Sequence, residues 1–75
     1  GHIVMLYNRD VPGVVGSVGM LLAEEKINIA RLELGREHVG GKAVSLIHVD
    51  DAVSEHALNR LRQLPNIVSA ELISL

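Results

Sequence analysis

Seventy-five residues suffice for one small domain but not for an enzyme with a deep cleft between two layers. With 7 Lys and Arg against 9 Asp and Glu, and Tyr7 as the one aromatic residue, the chain lacks the basic surface and stacking platforms of nucleic-acid-binding domains. The absence of cysteine excludes a disulfide framework, a thiolate nucleophile and a cysteine-ligated metal.

The chain is apolar for its size, with 48% hydrophobic residues and a mean hydropathy of +0.29. A small domain buries only part of its surface, so this content predicts burial against a second copy or another domain. No apolar run reaches membrane-spanning length and no signal peptide is evident, so we expect a cytoplasmic protein without a membrane partner. The start Gly1-His2 is typical of a cleaved tag, because the pattern from Ile3 continues without a methionine.

The first predicted strand covers residues 2–8 and is apolar on both faces, which is typical of a central strand. A helix follows over residues 12–26, with apolar residues at helical spacing at Val14, Val15, Val18, Leu21 and Leu22. Gly16 and Gly19 weaken this helix, so we expect close packing beside them.

A second strand is predicted over residues 28–36, with Ala30, Leu32 and Leu34 on one side and Arg31 and Glu33 on the other. The stretch 39–42 has the composition of a hairpin turn, and residues 43–49 form the third strand.

Ser54 is a suitable N-cap for a second helix, and Pro65 ends it. The fourth strand covers residues 67–75, with Val68, Ala70 and Leu72 on one face. The order strand, helix, strand, strand, helix, strand predicts an α+β, ferredoxin-like βαββαβ sandwich. In this fold a four-stranded antiparallel sheet carries two helices on one face, here as a single domain over residues 1–75.

The turn between the first strand and first helix carries the most informative chemistry. Pro12 fits near the first helical position and Asp10 precedes it as a cap. The N–H groups of the first turn then point out of the helix end together, and they belong to Gly13, Val14 and Val15. Such a turn is either an anion site made of backbone or a plain strand-to-helix connection, and local sequence leaves both open.

Other candidate chemistry is weaker. The histidines lack paired ligand spacing, and His48 with Asp50 and Asp51 is more typical of a solvated strand end than of a metal site. Neither Ser17 nor Ser54 has a positioned His–Asp partner, and the turn before Gly13 lacks a phosphate cradle. We therefore expect no catalytic residue, no metal and no cofactor.

At this point the motifs resemble a known family, the ACT domain. They cover essentially the whole chain and comprise Asp10-x-Pro12-Gly13-Val14-x-Gly16, Leu21-Leu22, Ile27-Asn28-Ile29-Ala30, Gly35-Arg36, Gly40-Gly41-x-Ala43 and Val49-Asp50. The pattern is most similar to the C-terminal regulatory domain of D-3-phosphoglycerate dehydrogenases. It is also similar to the ACT domain of the iron–sulfur L-serine dehydratase β chain.

The resemblance implies a homodimer or higher homo-oligomer that joins two sheets edge to edge, attached to a catalytic domain in the parent protein. It implies L-serine at the seam as feedback inhibitor, with Asn8 and Asp10 in one chain and Asn28 in the other as contacts. Relatives often carry His or Tyr at position 8, so Asn8 is a departure. The alternative is a structural dimerisation module that binds no ligand. If a ligand does bind, Val11 and Val14 near the turn favour a small one.

Overall fold

The computed structural model describes residues 2–36 and 41–74, without the side chains of Arg36 and Ser74. Its elements are β1 (His2–Arg9), α1 (Val14–Glu24), β2 (Ile29–Arg36), β3 (Lys42–Val49), α2 (Glu55–Arg62) and β4 (Ile67–Ser74). The four strands form one antiparallel sheet in the order β2-β3-β1-β4, so β2 and β4 are its edges. The predicted ferredoxin-like sandwich is confirmed, whereas the predicted turn at 39–42 lies largely outside the described residues.

The core lies between the two helices and one face of the sheet. Val4 and Leu6 of β1 share that face, and their register partners Ile47 and Ser45 extend it onto β3. The largest fully buried side chains are Leu6, Leu22, Ile47, Leu61 and Val4. Burial of these aliphatic side chains supplies the main stabilisation, since each contributes roughly 1.5–3 kcal/mol on leaving water.

Several details of the sequence prediction are wrong. Helix α1 covers Val14–Glu24 rather than residues 12–26, and its N-cap is Gly13 with no side-chain cap, so Asp10 does not cap it. In β4 the register with β1 shifts between Tyr7 and Asn8, which leaves Val68 as an extra residue that is 57% exposed. This bulge takes Val68 out of the alternation that places Ala70 and Leu72 on the helix face.

The two helices are also joined by a polar contact. Arg60 of α2 donates hydrogen bonds to Glu24 Oε1 at 2.6 Å and to Glu25 Oε2 at 2.7 Å. The hydrogen bond that Arg60 donates to Glu24, and then the one to Glu25, raise the pKa of Arg60, so the guanidinium stays charged. This contact fixes the carboxyl end of α1 against α2.

The carboxyl end of α1 forms a Schellman motif without the usual glycine. The N–H of Lys26 bonds Ala23 O at 3.0 Å and the N–H of Ile27 bonds Leu22 O at 2.9 Å, while Lys26 has φ of 60°. A side chain at a left-handed position costs about 1 kcal/mol that glycine avoids.

Replacing Lys26 with glycine is therefore expected to stabilise the chain by about 0.5–1 kcal/mol, because the strain at this position is removed. The melting temperature should rise by about 2–8 °C in a domain of this size. Thermal unfolding followed by circular dichroism measures the change. Lys26→Ala is the matched control, and an equal gain in both variants would show that loss of the lysine charge, not backbone strain, is responsible.

Candidate functional site

The site begins where β1 ends and the chain turns towards α1. The N–H of Asp10 donates to Gly41 O at 2.7 Å, and the N–H of Val11 donates to Arg9 O at 3.0 Å. The first bond ties the turn to the start of β3, and the second folds the chain back on itself. The turn is therefore held at the end of the two central strands.

Helix α1 opens directly from this turn. Gly13 has φ of +93°, a left-handed conformation that favours glycine, and its carbonyl accepts the N–H of Ser17 at 2.9 Å. Pro12 and Gly13 are exposed, Val14 is buried and Val15 is 52% exposed. Because the first-turn N–H groups have no intrahelical acceptor, the exposed end of α1 presents donors to a small anion beside Asp10.

Asn8 lies beneath this turn and inside the protein. It is 3% exposed; its Nδ2 donates to Arg9 O at 3.0 Å and its Oδ1 accepts from the Ser45 hydroxyl at 3.1 Å. Asn8 pairs with Ala43, and Ser45, also 3% exposed, lies two residues further along β3 on the same face of the sheet. Both ends of the Asn8 amide thus have partners in the same chain, and its role as a ligand contact stays a prediction.

Asn28 lies at the opposite end of the sheet from the turn. It is exposed, its Nδ2 donates to Asp50 Oδ2 at 2.7 Å, and its carbonyl accepts the N–H of Asp50 at 3.1 Å. The next residue, Ile29, pairs with Val49, which pairs with His2. Asn8 lies six positions along β1 from His2, which is about 20 Å along a strand. One chain thus brings the predicted turn residues together but leaves Asn28 remote.

An apolar groove between α1 and the β2 edge was not predicted, although two of the predicted site residues, Val14 and Val15, line it. Its lining residues are Leu6, Val14, Val15, Val18, Gly19, Ile29, Leu32, Ser45 and Ile47. Leu32 and Leu34 are 40% and 43% exposed although the alternation places them on the helix face. Apart from the adjoining residues and the backbone of α1 itself, no atom lies within 4 Å of a Cβ built on Gly16 or Gly19, so the close packing expected there is not found within the described structure. Leu32 and Leu34 are exposed because β2 is an edge strand, and this becomes evident only once the strand order is known.

Two further expectations concern chemistry elsewhere in the chain. Within residues 2–36 and 41–74, no three His, Asp or Glu side chains group together as a metal site would require. In the same part of the chain, neither helix has the length and apolar character needed to cross a membrane.

Known proteins match this chain over most or all of its length. The sequence model of the family described as "ACT domain" matches residues 2–66. D-3-phosphoglycerate dehydrogenase of Bacillus subtilis is 37% identical over 75 residues, covering 100% of this chain and 14% of that protein. The same enzyme of Methanocaldococcus jannaschii is 33% identical, again over 100% of this chain and 14% of its own length. The probable L-serine dehydratase beta chain of Bacillus subtilis is 31% identical over 71 residues, covering 95% of this chain and 32% of that protein.

Solved structures support the fold. The ACT domain from GTP pyrophosphokinase of Chlorobium tepidum superposes with a TM-score of 0.74 at 12% identity, covering 96% of this chain and 95% of that one. The ligand-free regulatory subunit of aspartate kinase from Thermus thermophilus gives a TM-score of 0.74 at 24% identity, covering 97% of this chain and 49% of that one. The chain spans about 14% of the length of the dehydrogenases it matches.

Proposed function

The chain belongs to the ACT domain family, homologous to the ACT domains of D-3-phosphoglycerate dehydrogenases, and on that premise we propose that it senses L-serine where two copies meet. Occupancy of the seam would regulate an attached D-3-phosphoglycerate dehydrogenase. The observation that carries the proposal is the placement of Asp10 and Asn28 at opposite ends of a sheet whose β2 edge is open and apolar.

The turn offers the chemistry that a free amino acid requires. The exposed end of α1 suits the carboxylate, because its first-turn N–H groups and helix dipole favour an anion. The Asp10 carboxylate suits the ammonium group, and an amide such as that of Asn28 can donate to or accept from a small polar side chain. L-serine has these three groups within a few ångströms of one another.

The backbone of β2 supports pairing with a second copy at this edge. The N–H of Asp10 bonds Gly41 O beside β3, whereas the N–H of Arg9 bonds Asn66 O beside β4, so even-numbered residues of β1 face β3. Leu6 pairs with Ser45, which pairs with Leu34. The alternation therefore directs the backbone groups of Leu34, and likewise of Leu32, out of the sheet. These groups can bond a second β2.

An antiparallel pair of β2 strands brings opposite ends together. The last residues of β2 lie beside Ala43 and Asn8, close to the turn, whereas Asn28 precedes its first residue. A two-fold axis at this edge therefore carries Asn28 of the second copy towards the Asp10 turn of the first. A ligand that contacts both copies stabilises the paired state by its differential affinity, which biases any domain attached to it.

The charges on β2 are self-complementary in this arrangement. Arg31 and Glu33 form an ion pair on the sheet face away from the helices. Antiparallel pairing centred on Leu32 would set Arg31 of each copy opposite Glu33 of the other. Such cross-strand pairs contribute roughly 0.2–1 kcal/mol each, and the exposed Val15, Leu32 and Leu34 add apolar area to the same seam.

A thermal-shift scan against the twenty amino acids tests the proposal. We expect L-serine to raise the melting temperature, since a ligand at 100 times its Kd stabilises the native state by about 2.7 kcal/mol. Asp10→Ala and Asn28→Ala should each remove the shift.

Asp50→Ala is the matched control for Asn28→Ala. It breaks the same 2.7 Å hydrogen bond but keeps the Asn28 amide, so it should retain the response to L-serine. Loss of the response in both variants would indicate that the bond, and not a ligand contact, matters. No response of the unmodified dimer to any amino acid would leave a structural pairing module, which the internal hydrogen bonds of Asn8 favour as the second candidate.

A further inference from the structure

We propose that Arg62 closes the β4 edge of the sheet to strand pairing, so that a second copy of this chain adds at β2 and not at β4. The β4 edge lies on the opposite side of the sheet from the ligand seam, and only the expected size of the assemblies depends on the proposed β2 pairing.

Ala70 presents its carbonyl at the β4 edge. It pairs with Leu6, whose backbone groups face β3, so the N–H and C=O of Ala70 point away from β1. The Nε of Arg62 donates to this carbonyl at 3.1 Å. A side chain of α2 thus occupies an acceptor that an incoming strand would need.

The guanidinium of Arg62 is held in place by its own helix. Nη1 donates to Asn59 Oδ1 at 2.9 Å, and Glu55 Oε2 lies 3.8 Å from the same nitrogen. Helix α2 is itself fixed by its N-cap, where the N–H of Ala57 donates to Ser54 Oγ at 3.1 Å. These contacts fix the arginine across the strand edge and limit the conformations available to it.

The β4 edge needs such protection because it is apolar. Val68 and Leu72 are 57% and 37% exposed, and exposed apolar edge strands are templates for pairing. The bulge at Val68 disrupts one end of the edge, and Arg62 covers its middle. The β2 edge has a register shift only near its start, between Ile29 and Arg31. The two edges therefore differ in their capacity to pair.

The test compares Arg62→Ala with the unmodified 75-residue chain by light scattering during size exclusion, in two backgrounds. The second background is Leu34→Pro, which blocks the β2 edge. Arg62→Ala should form assemblies larger than two chains that grow with concentration, because both edges are then open. Leu34→Pro alone should be a single chain, and the double variant should pair through β4 and contain two chains.

Arg60→Ala is the matched control, since it removes the same charge from the same helix without touching β4, and it should keep the parent's mass. Adding Val68→Lys to Arg62→Ala places a charge on the opened edge and should restore the parent's mass. Circular dichroism confirms that each variant is folded. If Arg62→Ala keeps the parent's mass in both backgrounds, or Val68→Lys fails to reverse its growth, the proposal is overturned. If the Leu34→Pro variant alone still contains two chains, the proposed pairing through β2 is wrong. The comparison of Arg62→Ala with its parent chain still tests whether Arg62 closes the β4 edge.

Discussion

Leu34→Pro is expected to convert a two-chain assembly into single chains and to abolish the response to L-serine. The backbone N–H of Leu34 points out of the β2 edge, where the proposed pairing would use it. Proline removes that donor and places its ring in the path of the second strand. The two-fold axis repeats the loss at the second copy, and two hydrogen bonds of roughly 0.5–1.5 kcal/mol each correspond to a dimer that is weaker by about 5- to 150-fold.

The fold should survive this change, since proline is tolerated on edge strands where the N–H faces solvent. Leu72→Pro is the matched control on the other edge. Leu72 pairs with Val4, so its N–H also points outward, and its side chain is 37% exposed. Leu72→Pro should keep both the dimer and the ligand response. A Leu34→Pro protein that retains two chains and still binds L-serine would refute pairing through β2. The readouts are light scattering and the thermal shift.

The fold could be predicted from the sequence because nearly every element has a clear period. The 3.6-residue spacing of Val14, Val18 and Leu21 and the hydroxyl of Ser54 act locally, within one turn of helix. The bounds of α1 were wrong at both ends, where Gly13 and Lys26 adopt positive φ. Lysine carries no sequence signal for that conformation, because the hydrogen bonds from Lys26 and Ile27 to the helix end impose it.

The site was less predictable because it depends on contacts distant in sequence. The strand alternation already placed Asn8 in phase with the buried Val4 and Leu6, so its burial had a signal. The hydrogen bond to Ser45 had no such signal in the sequence, since predicting it requires the register of β1 with β3. The exposure of Leu32 and Leu34 likewise follows from the edge position of β2. The position of the turn between β1 and α1 was predictable from local sequence, although Asp10 does not cap the helix, whereas the surfaces around the turn follow from the topology.

Asn8→Asp should cause the largest loss of stability among the changes considered, because it places a carboxylate where nearly no water reaches. The amide that donates to Arg9 O becomes an oxygen that repels it, while only the Ser45 hydroxyl still donates. The nearby end of α1 offsets about 0.3–1 kcal/mol of the cost. Burying a poorly solvated charge costs several kcal/mol, so roughly 3 kcal/mol should be lost from a total of about 5–15 kcal/mol.

The loss of stability in Asn8→Asp should depend on pH. The direction of this dependence distinguishes the effect of the buried charge from the effect of a changed side-chain shape. Burial raises the pKa of the new carboxyl in the folded state above its ordinary value, so the native state binds a proton that the unfolded state has released. Stability should therefore recover as the pH falls through the raised pKa, and Asn66→Asp, an exposed amide-to-acid change, should show no such recovery. Urea unfolding between pH 4 and 8 measures the difference. If Asn8→Asp is as stable as Asn66→Asp at every pH, the Asn8 side chain must reach solvent, and a direct ligand contact from position 8 becomes the better interpretation.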